Sequence, residues 1–124
     1  MKIRKLCVIL AAVALGAGGC GSAFRQGTIE GAGPRVTEEG ILFSFFSTKA
    51  TSVSIAGDFN NWSMKADQLQ DREGTGMWTI LLPLKPGRHE YKFVVDSDKW
   101  IRDPGNPETV DDGFGGVNSI LVVE

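Results

Sequence analysis

Short runs of alternating polar and apolar residues, separated by turn residues, dominate the chain from Gly40 onwards. Such alternation is typical of β-strands that bury one face, because successive side chains point to opposite sides of a sheet. The pattern predicts strands at residues 41–46, 51–56, 65–69, 77–82, 88–95, 99–102 and 117–123. It contains no convincing helical period. Seven or so short strands at this spacing predict an all-β fold, an antiparallel β-sandwich.

The same alternation predicts which side chains fill the core. These are the apolar residues that share one face of each strand: Ile41, Phe43, Phe45, Val53, Ile55, Trp78, Ile80, Tyr91, Phe93 and Val95. In the most regular strand, His89 shares the core face, whereas Glu90 and Lys92 point to the opposite side. Pro83 ends the preceding strand, and residues 85–87 (Lys-Pro-Gly) predict a hairpin turn between the two.

A tight polar turn at residues 57–62, Gly-Asp-Phe-Asn-Asn-Trp, carries a tryptophan directly after a strand. Gly tolerates positive φ, and Asn and Asp hydrogen-bond to their own backbone, so these are turn-forming residues. A tryptophan exposed on such a turn is a flat apolar platform of the kind that suits the apolar face of a sugar ring. The turn alone leaves two interpretations open. Trp62 either binds a sugar or folds back over the sheet edge as a lid on the core.

Trp100 is the second tryptophan that the pattern predicts to be partly exposed. It follows the turn at residues 96–99 and precedes the loop at residues 102–105. Trp78, in contrast, alternates with Ile80 and is predicted in the core. Two exposed indoles near the outward-facing Lys92 have the composition of a sugar site, with platforms for the rings and a hydrogen-bonding group.

The side chains that catalysis or metal binding needs are not arranged for either task. His89 is the one histidine and lies in a strand beside apolar residues, which favours a structural role. The acids of the last third do not have the spacing of an EF-hand loop, and most adjoin turn residues; they are Asp96, Asp98, Asp103, Asp111 and Asp112. The sequence therefore predicts no enzyme, no metal site and no cofactor.

The first twenty residues have the features of a targeting segment. Residues 1–5 are basic, residues 6–15 are apolar, and small residues lead up to Cys20. Residues 17–20, Ala-Gly-Gly-Cys, resemble a bacterial lipobox, so we predict a signal peptide at 1–19 and a lipidated Cys20. An ordinary cleaved signal with an incidental cysteine remains the alternative. By the same resemblance, Gly21 implies an outer-membrane lipoprotein of the bacterial cell envelope.

Residues 20–39 are rich in glycine and poor in large apolar side chains, which predicts a flexible linker before a single module at 40–124. Removal of Lys2, Arg4 and Lys5 with the signal takes the net charge from −2 to −5. No run of basic residues remains, which excludes nucleic acid as a partner. The membrane contact is therefore expected to come from the lipid on Cys20.

Four segments in the same order resemble the glycogen-binding domain of the AMP-activated protein kinase beta subunit: residues 57–63, 87–96, 100–104 and 117–118. That domain belongs to carbohydrate-binding module family 48, together with the N-terminal modules of isoamylase and glycogen-branching enzymes. The resemblance covers about residues 40–124. It implies an early-set, immunoglobulin-like β-sandwich.

The resemblance also implies a sugar site made of Trp62, Lys92, Trp100, Phe114 and Asn118. The two tryptophans would stack on glucose rings, and the lysine and asparagine would hydrogen-bond to hydroxyls. Phe114 stands where the kinase domain has a leucine that supports the sugar, and this larger residue either stacks on the sugar or crowds the site. Gly116 stands where that domain has a threonine that hydrogen-bonds to sugar, so this contact is missing here.

The expected function is non-catalytic binding of an α-1,4-linked glucan, such as glycogen, starch or a maltooligosaccharide, by a membrane-anchored module. Many members of the family pack beside a catalytic domain with no sugar bound. The alternative is therefore an envelope protein-docking or structural early-set module without sugar binding. The sequence leaves open the chain length of the glucan, any protein partner and the oligomeric state.

Overall fold

Eight β-strands form two antiparallel sheets in residues 33–124, the part of the chain that the computed structural model describes. The strands are β1 (Arg35–Thr37), β2 (Gly40–Phe46), β3 (Val53–Gly57), β4 (Met77–Leu82), β5 (Gly87–Val95), β6 (Lys99–Ile101), β7 (Thr109–Asp111) and β8 (Val117–Val123). This range contains no helix, and hence none able to cross a membrane. The predicted all-β, immunoglobulin-like early-set sandwich is confirmed.

β5 is the central strand of the larger sheet. The smaller sheet has the order β1-β2-β4, and the larger has the order β3-β5-β8-β7 with β6 also paired to β5. Along one edge of β5, Tyr91 pairs with Gly57 of β3. Along the other edge, Tyr91 pairs with Ser119 of β8 and Phe93 pairs with Ile101 of β6. Outward-pointing side chains of β5 therefore lie in the middle of the outer face.

The core lies between the inner faces of the two sheets, as the alternation predicts. All ten predicted core residues belong to the buried cluster or pack against it. The rings of Phe43 and Tyr91 meet edge to face with centroids 5.0 Å apart, which links the smaller sheet to the larger. Trp78 and Ile80 are half-buried at the rim, where the Trp78 indole N–H donates a 3.0 Å hydrogen bond to the Ser47 carbonyl.

The predicted strand at residues 65–69 is wrong. The structure instead has two isolated bridges, one between Gln68 and Ser54 of β3 and one between Gln70 and Thr79 of β4. The segment thus runs from the larger sheet to the smaller one and pairs with each for a single residue. Leu69, between the two bridges, is buried in the core although the pattern did not predict it there.

The predicted hairpin at residues 85–87 is also wrong. β4 pairs with β2 in the smaller sheet and β5 lies in the larger, so residues 83–86 cross between the sheets. Leu84 packs against the core and fixes the crossover. The Pro-Gly sequence reports a change of chain direction, and it carries no information about which strand the next one pairs with.

Two three-residue strands were not predicted. β1 lies inside residues 20–39, the range predicted as a linker, and pairs with β2 across a turn in which the Thr37 hydroxyl donates to the Gly40 carbonyl. β7 pairs with β8, so that Val110 faces Asn118. Both strands are too short to show a period of two, and pairing with a longer neighbour defines them.

Candidate functional site

A cavity of about 430 Å³ lies on the outer face of the larger sheet. Its lining residues are Trp62, Glu90, Lys92, Trp100, Asp112, Phe114 and Asn118. The structure therefore brings all five predicted site residues together, and it adds Glu90 and Asp112. The floor comes from β5, β6 and β8, and the rim comes from two loops. These are the Trp62 turn (residues 57–62) and the 112–116 loop.

The side chain of Asn60 holds the Trp62 turn in shape. Its Oδ1 accepts hydrogen bonds from the backbone N–H groups of Gly57, at 3.0 Å, and Ser63, at 3.2 Å. Its Nδ2 donates to the Ile55 carbonyl, at 2.9 Å, and to Asp67 Oδ2, at 2.8 Å. One amide thus uses both its oxygen and its nitrogen to tie the turn to β3.

The backbone of the Trp62 turn is strained at the tryptophan itself. Asn61 and Trp62 have φ values of 59° and 57°, in the left-handed region that bulky side chains rarely adopt. Such a conformation costs on the order of 1–3 kcal/mol per residue. A 2.8 Å hydrogen bond from the Trp62 N–H to the Gly57 carbonyl closes the turn. The turn therefore fixes the direction in which the Trp62 side chain leaves the backbone.

Phe59 is the residue of this turn that packs on the core. Its ring centroid lies 6.4 Å from that of Phe43 and 6.0 Å from that of His89. A Cβ on Gly57 would come within 2.5 Å of the Phe59 ring and 2.6 Å of the Glu90 carbonyl oxygen, so only glycine fits there. Trp62 is half-buried and lines the cavity. In this geometry the lid on the core is Phe59.

Trp100 reaches the same cavity from β6. Residues 96–98 join β5 to β6, and within this turn Asp96 and Ser97 have left-handed φ values of 54° and 67°. Trp100 pairs with Val94, so its indole points to the outer face, where 42% of the residue stays exposed. The backbone N–H and the hydroxyl of Thr51 both donate to the Asp96 carboxylate. These hydrogen bonds, of which the backbone one has the larger effect, hold the pKa of Asp96 below the usual range.

Lys92 and Asp112 form an ion pair at the site. Lys92 Nζ donates to Asp112 Oδ2 at 2.7 Å, and the two side chains are only 17% and 8% exposed. Asp112 Oδ1 accepts from the backbone N–H groups of Phe114, at 2.7 Å, and Gly116, at 3.1 Å. The hydrogen bond from Lys92 is the largest reason that the pKa of Asp112 falls to about 2. The carboxylate is therefore ionised at neutral pH and joins β5 to the 112–116 loop.

Glu90 and Asn118 form a second polar pair. Asn118 Nδ2 donates to Glu90 Oε1 at 3.0 Å, and Arg88 donates to Glu90 Oε2 at 2.7 Å. These two contacts hold the pKa of Glu90 below its usual range, and the hydrogen bond from Asn118 has the larger effect. The buried Asn118 amide is thereby oriented by its neighbour on β5.

Gly116 leaves room for the Asp112 carboxylate. A Cβ at this position would lie 2.9 Å from Asp112 Oδ2 and 3.8 Å from Lys92 Nζ. The threonine that the family resemblance implies here would therefore crowd the ion pair. The missing threonine and the acid at position 112 are thus linked features of this chain.

Phe114 is almost fully exposed, at 93%, on the tip of the 112–116 loop. Gly113 and Gly115 on either side have φ values of 84° and 92°, which suit glycine. The Gly113 N–H donates to Asp111 Oδ1 at 2.7 Å, which shapes the loop start. An aromatic ring held in water beside a cavity is placed to cover a ligand.

Asp103, another acid of the last third, has a structural role. Asp103 is buried beneath the larger sheet, where its Oδ2 accepts a 2.7 Å hydrogen bond from the Tyr91 hydroxyl and its backbone N–H donates to Ser119 Oγ. Burial raises the pKa values of both Asp103 and Tyr91. Within the described range, no three His, Cys, Asp or Glu side chains group as they would around a metal ion.

His89 lies on the core side of β5, as predicted. Its Nε2 is 2.7 Å from the carbonyl oxygen of Lys85, and its Nδ1 is 3.4 Å from Asp58 Oδ1. Both ring nitrogens thus face partners that connect the crossover and the Trp62 turn to β5. Cys20, the predicted lipidation site, and the predicted signal peptide lie outside the described residues.

Sequence reasoning missed Glu90 and Asp112 as site residues. The alternation placed Glu90 on the outer face beside Lys92, and this signal was sufficient to include it. Asp112 is one of several loop acids near glycines, and nothing in the sequence separates it from Asp111. Its role depends on the path of the 112–116 loop, which only the structure gives.

Residues 42–124 match the family described as the glycogen recognition site of AMP-activated protein kinase. The 5'-AMP-activated protein kinase subunit beta-2 of Homo sapiens is 34% identical over 79 residues, which are 64% of this chain and 27% of that subunit. The 1,4-alpha-glucan branching enzyme of Nitrosococcus oceani is 38% identical over 77 residues, or 61% of this chain and 10% of the enzyme. The 1,4-alpha-glucan branching enzyme of Pseudomonas putida is 37% identical over 57 residues, which are 46% of this chain and 8% of the enzyme.

The chain thus spans about a quarter of the length of the kinase subunit (27%) and at most about a tenth of the length of these branching enzymes (10% and 8%). The family is one of non-catalytic carbohydrate-binding modules. Its match extends from within β2 to the end of β8 and includes all five predicted site residues. The chain belongs to the family of glycogen recognition modules.

Proposed function

We propose that this protein binds an α-1,4-linked glucan without catalysis, with glucose rings stacked on Trp62 and Trp100. One observation carries the proposal. Two indoles from separate elements, the Trp62 turn and β6, line a single cavity together with polar side chains. The family to which the chain belongs supports a glucan as the ligand.

The cavity has the mixed chemistry that a glucose ring requires. A glucose ring has apolar faces and a rim of hydroxyls, each of which can donate and accept a hydrogen bond. The indoles suit the faces. Lys92 and Asn118 supply donors for the rim, and the carboxylates of Glu90 and Asp112 supply acceptors.

The expected affinity for a single oligosaccharide is modest. If each indole loses about 100 Å² of one face against a ring, burial contributes roughly 2–3 kcal/mol apiece at ~25 cal/mol/Å². The loss of freedom on association takes back at least ~4 kcal/mol. Stacking alone therefore leaves only about 0–2 kcal/mol, and hydrogen bonds of about 0.5–1.5 kcal/mol each at the ring edges add to it, so we expect a dissociation constant of roughly millimolar. The strained but fixed Trp62 turn limits the ordering cost on binding.

We also propose that a lipid on Cys20 holds the module at the bacterial outer membrane. The basic start, the short apolar run and the small residues before Cys20 support this anchor. Several anchored copies that engage one long glucan would gain affinity through avidity. Mass spectrometry of the native protein tests the anchor, since a mature chain that begins elsewhere or at an unmodified Cys20 contradicts it.

Glucan binding is tested by titrating the purified protein with maltoheptaose, followed by tryptophan fluorescence, and by retention on insoluble starch. Trp62→Ala and Trp100→Ala should each remove most of the binding and leave the circular dichroism spectrum unchanged. Trp78→Phe is the matched control, because Trp78 packs at the rim of the core. It should keep retention on starch.

Two results would favour the envelope-docking or structural alternative. One is a wild-type protein that shows neither a fluorescence change with maltoheptaose nor retention on starch. The other is an unfolded Trp62→Ala variant, which would mean that the indole serves the core.

A further inference from the structure

Three of the seven side chains that line the cavity are charged. Lys92 is the only cation among these lining residues. It lies 2.7 Å from the carboxylate of Asp112, and Glu90 is the third charged member. The lining therefore carries two carboxylates and one ammonium, a net charge of −1.

We propose that Asp112 and Glu90 determine the specificity of the cavity by restricting it to uncharged glucans and excluding glucans that carry phosphate or other anionic esters. This inference rests on the proposed function and adds to it the class of glucan. It assigns a role to two residues that lie beside the predicted stacking and hydrogen-bonding set.

The first step of the argument concerns Lys92. An unpaired ammonium in a polyol site would bind a phosphate ester more strongly than a hydroxyl, because charge-assisted hydrogen bonds are the stronger ones. Asp112 cancels that charge at short range. The two backbone N–H groups of Phe114 and Gly116 hold its other oxygen, so the carboxylate is fixed against Lys92. The ammonium keeps N–H groups for neutral hydroxyls.

The second step concerns Glu90. Contacts to Asn118 and Arg88 keep its carboxylate ionised and fixed within the cavity lining. Arg88 neutralises part of this charge, but it is half exposed and is not a lining residue. A phosphate that enters the cavity would therefore meet a like charge. One such charge across a partly solvated gap of several ångströms changes affinity by roughly ten-fold.

The third step concerns Gly116. A Cβ there would fall 2.9 Å from Asp112 Oδ2, so a side chain would push the carboxylate away from Lys92. Glycine is thus part of the same arrangement. Gly116→Ala gives a second route to an uncompensated Lys92 without altering any charge.

The experiment compares the dissociation constants of maltoheptaose and of maltoheptaose with a 6-phosphate on an internal glucose. The readout is the dissociation constant of the phosphorylated ligand divided by that of the unphosphorylated one. For the wild-type protein this ratio should be roughly ten, and it should be smaller at high salt. Asp112→Asn should bring the ratio to about one or below it, because Lys92 is then unpaired. Glu73→Gln removes the same charge from an exposed residue outside the cavity lining and should leave the ratio unchanged.

Glu90→Gln and Gly116→Ala keep the inference testable if Asp112→Asn fails to fold. Each should bring the ratio of the two dissociation constants closer to one. Equal binding of both ligands by the wild-type protein would overturn the inference and leave glucan binding intact. So would a ratio that none of the three variants changes. Loss of binding to both ligands by the wild-type protein would overturn the proposed function as well.

Discussion

Lys92 Nζ lies 2.7 Å from Asp112 Oδ2, and this contact joins the central strand of the larger sheet to the loop that carries Phe114. The same carboxylate accepts the Phe114 backbone N–H through its other oxygen. A side chain of the cavity floor thereby sets the position of an aromatic ring on its rim. Binding at this site is expected to depend on the loop contacts of Asp112 as well as on the stacking residues.

Phe114→Ala should weaken binding to maltoheptaose and leave stability nearly unchanged. The side chain is 93% exposed, so its loss should change the free energy of unfolding by less than about 0.5 kcal/mol. Burial of part of the ring against a sugar would contribute roughly 1–2 kcal/mol, a loss of several-fold or more in affinity. Titration and thermal unfolding of the variant measure the two quantities.

Val122→Ala is the control for Phe114→Ala. Val122 is an exposed apolar residue of β8 on the same outer face, and it is not part of the cavity lining. It should affect neither affinity nor stability. An unchanged affinity in Phe114→Ala would show that the ring does not contact the ligand.

Phe93→Ala should lower the free energy of unfolding by about 3–5 kcal/mol. Phe93 is fully buried in β5, between the rings of Phe45 and Tyr91 at centroid distances of 5.1 and 5.9 Å. Denaturant unfolding measures the loss. Leu81→Ala, at an exposed position of β4, should cost much less. A loss below ~1 kcal/mol for Phe93→Ala would mean that the face of β5 is inverted.

The strands that could be predicted from sequence are those whose own residues carry the alternation. In β2 and β5, Phe43 and Phe93 are inward members of runs long enough to show a period of two. β1 and β7 have three residues each and are defined by their partners. The segment around Leu69 has strand-like residues, yet it bridges the two sheets, because pairing across a sandwich is a non-local property.

The site divides in the same way. Trp62, Trp100 and Lys92 could be predicted, since each lies on a turn or on the outward side of a strand whose inner residues are apolar. The contact between Lys92 and Asp112 spans twenty positions and depends on the left-handed glycines of the 112–116 loop. No local pattern encodes a contact of this kind.

Asn60→Ala should weaken both the fold and glucan binding. The substitution removes the acceptor of the Gly57 and Ser63 N–H groups and the donor to the Ile55 carbonyl and Asp67. Loss of these partly buried hydrogen bonds should cost about 1–3 kcal/mol of stability. Because the turn then no longer fixes the indole, affinity for maltoheptaose should fall even at temperatures where the variant is fully folded.

Asn61→Gly is the matched control for Asn60→Ala. Asn61 is exposed in the same turn, and glycine adopts its left-handed backbone conformation without steric cost. It should retain more stability and more affinity than Asn60→Ala. Equal losses in the two variants would show that the turn depends on backbone conformation and not on the Asn60 amide.

Acid should destabilise the wild-type protein more than Asp112→Asn. The pKa of Asp112 is lowered from its ordinary 3.8 to about 2, so the folded state binds this proton less readily than the unfolded chain. The stabilisation that follows is fully present above pH 4 and is lost as the pH falls from about 4 to about 2. Glu90 and Asp96 have pKa values shifted in the same direction and Asp103 in the opposite one, so the wild type alone cannot isolate Asp112. Thermal unfolding of both proteins between pH 2 and 6 gives the difference in stability between the wild type and Asp112→Asn. We expect this difference to decrease toward low pH, because protonated Asp112 no longer pairs with Lys92. A difference that stays constant across this range would show that the ion pair contributes nothing to folding.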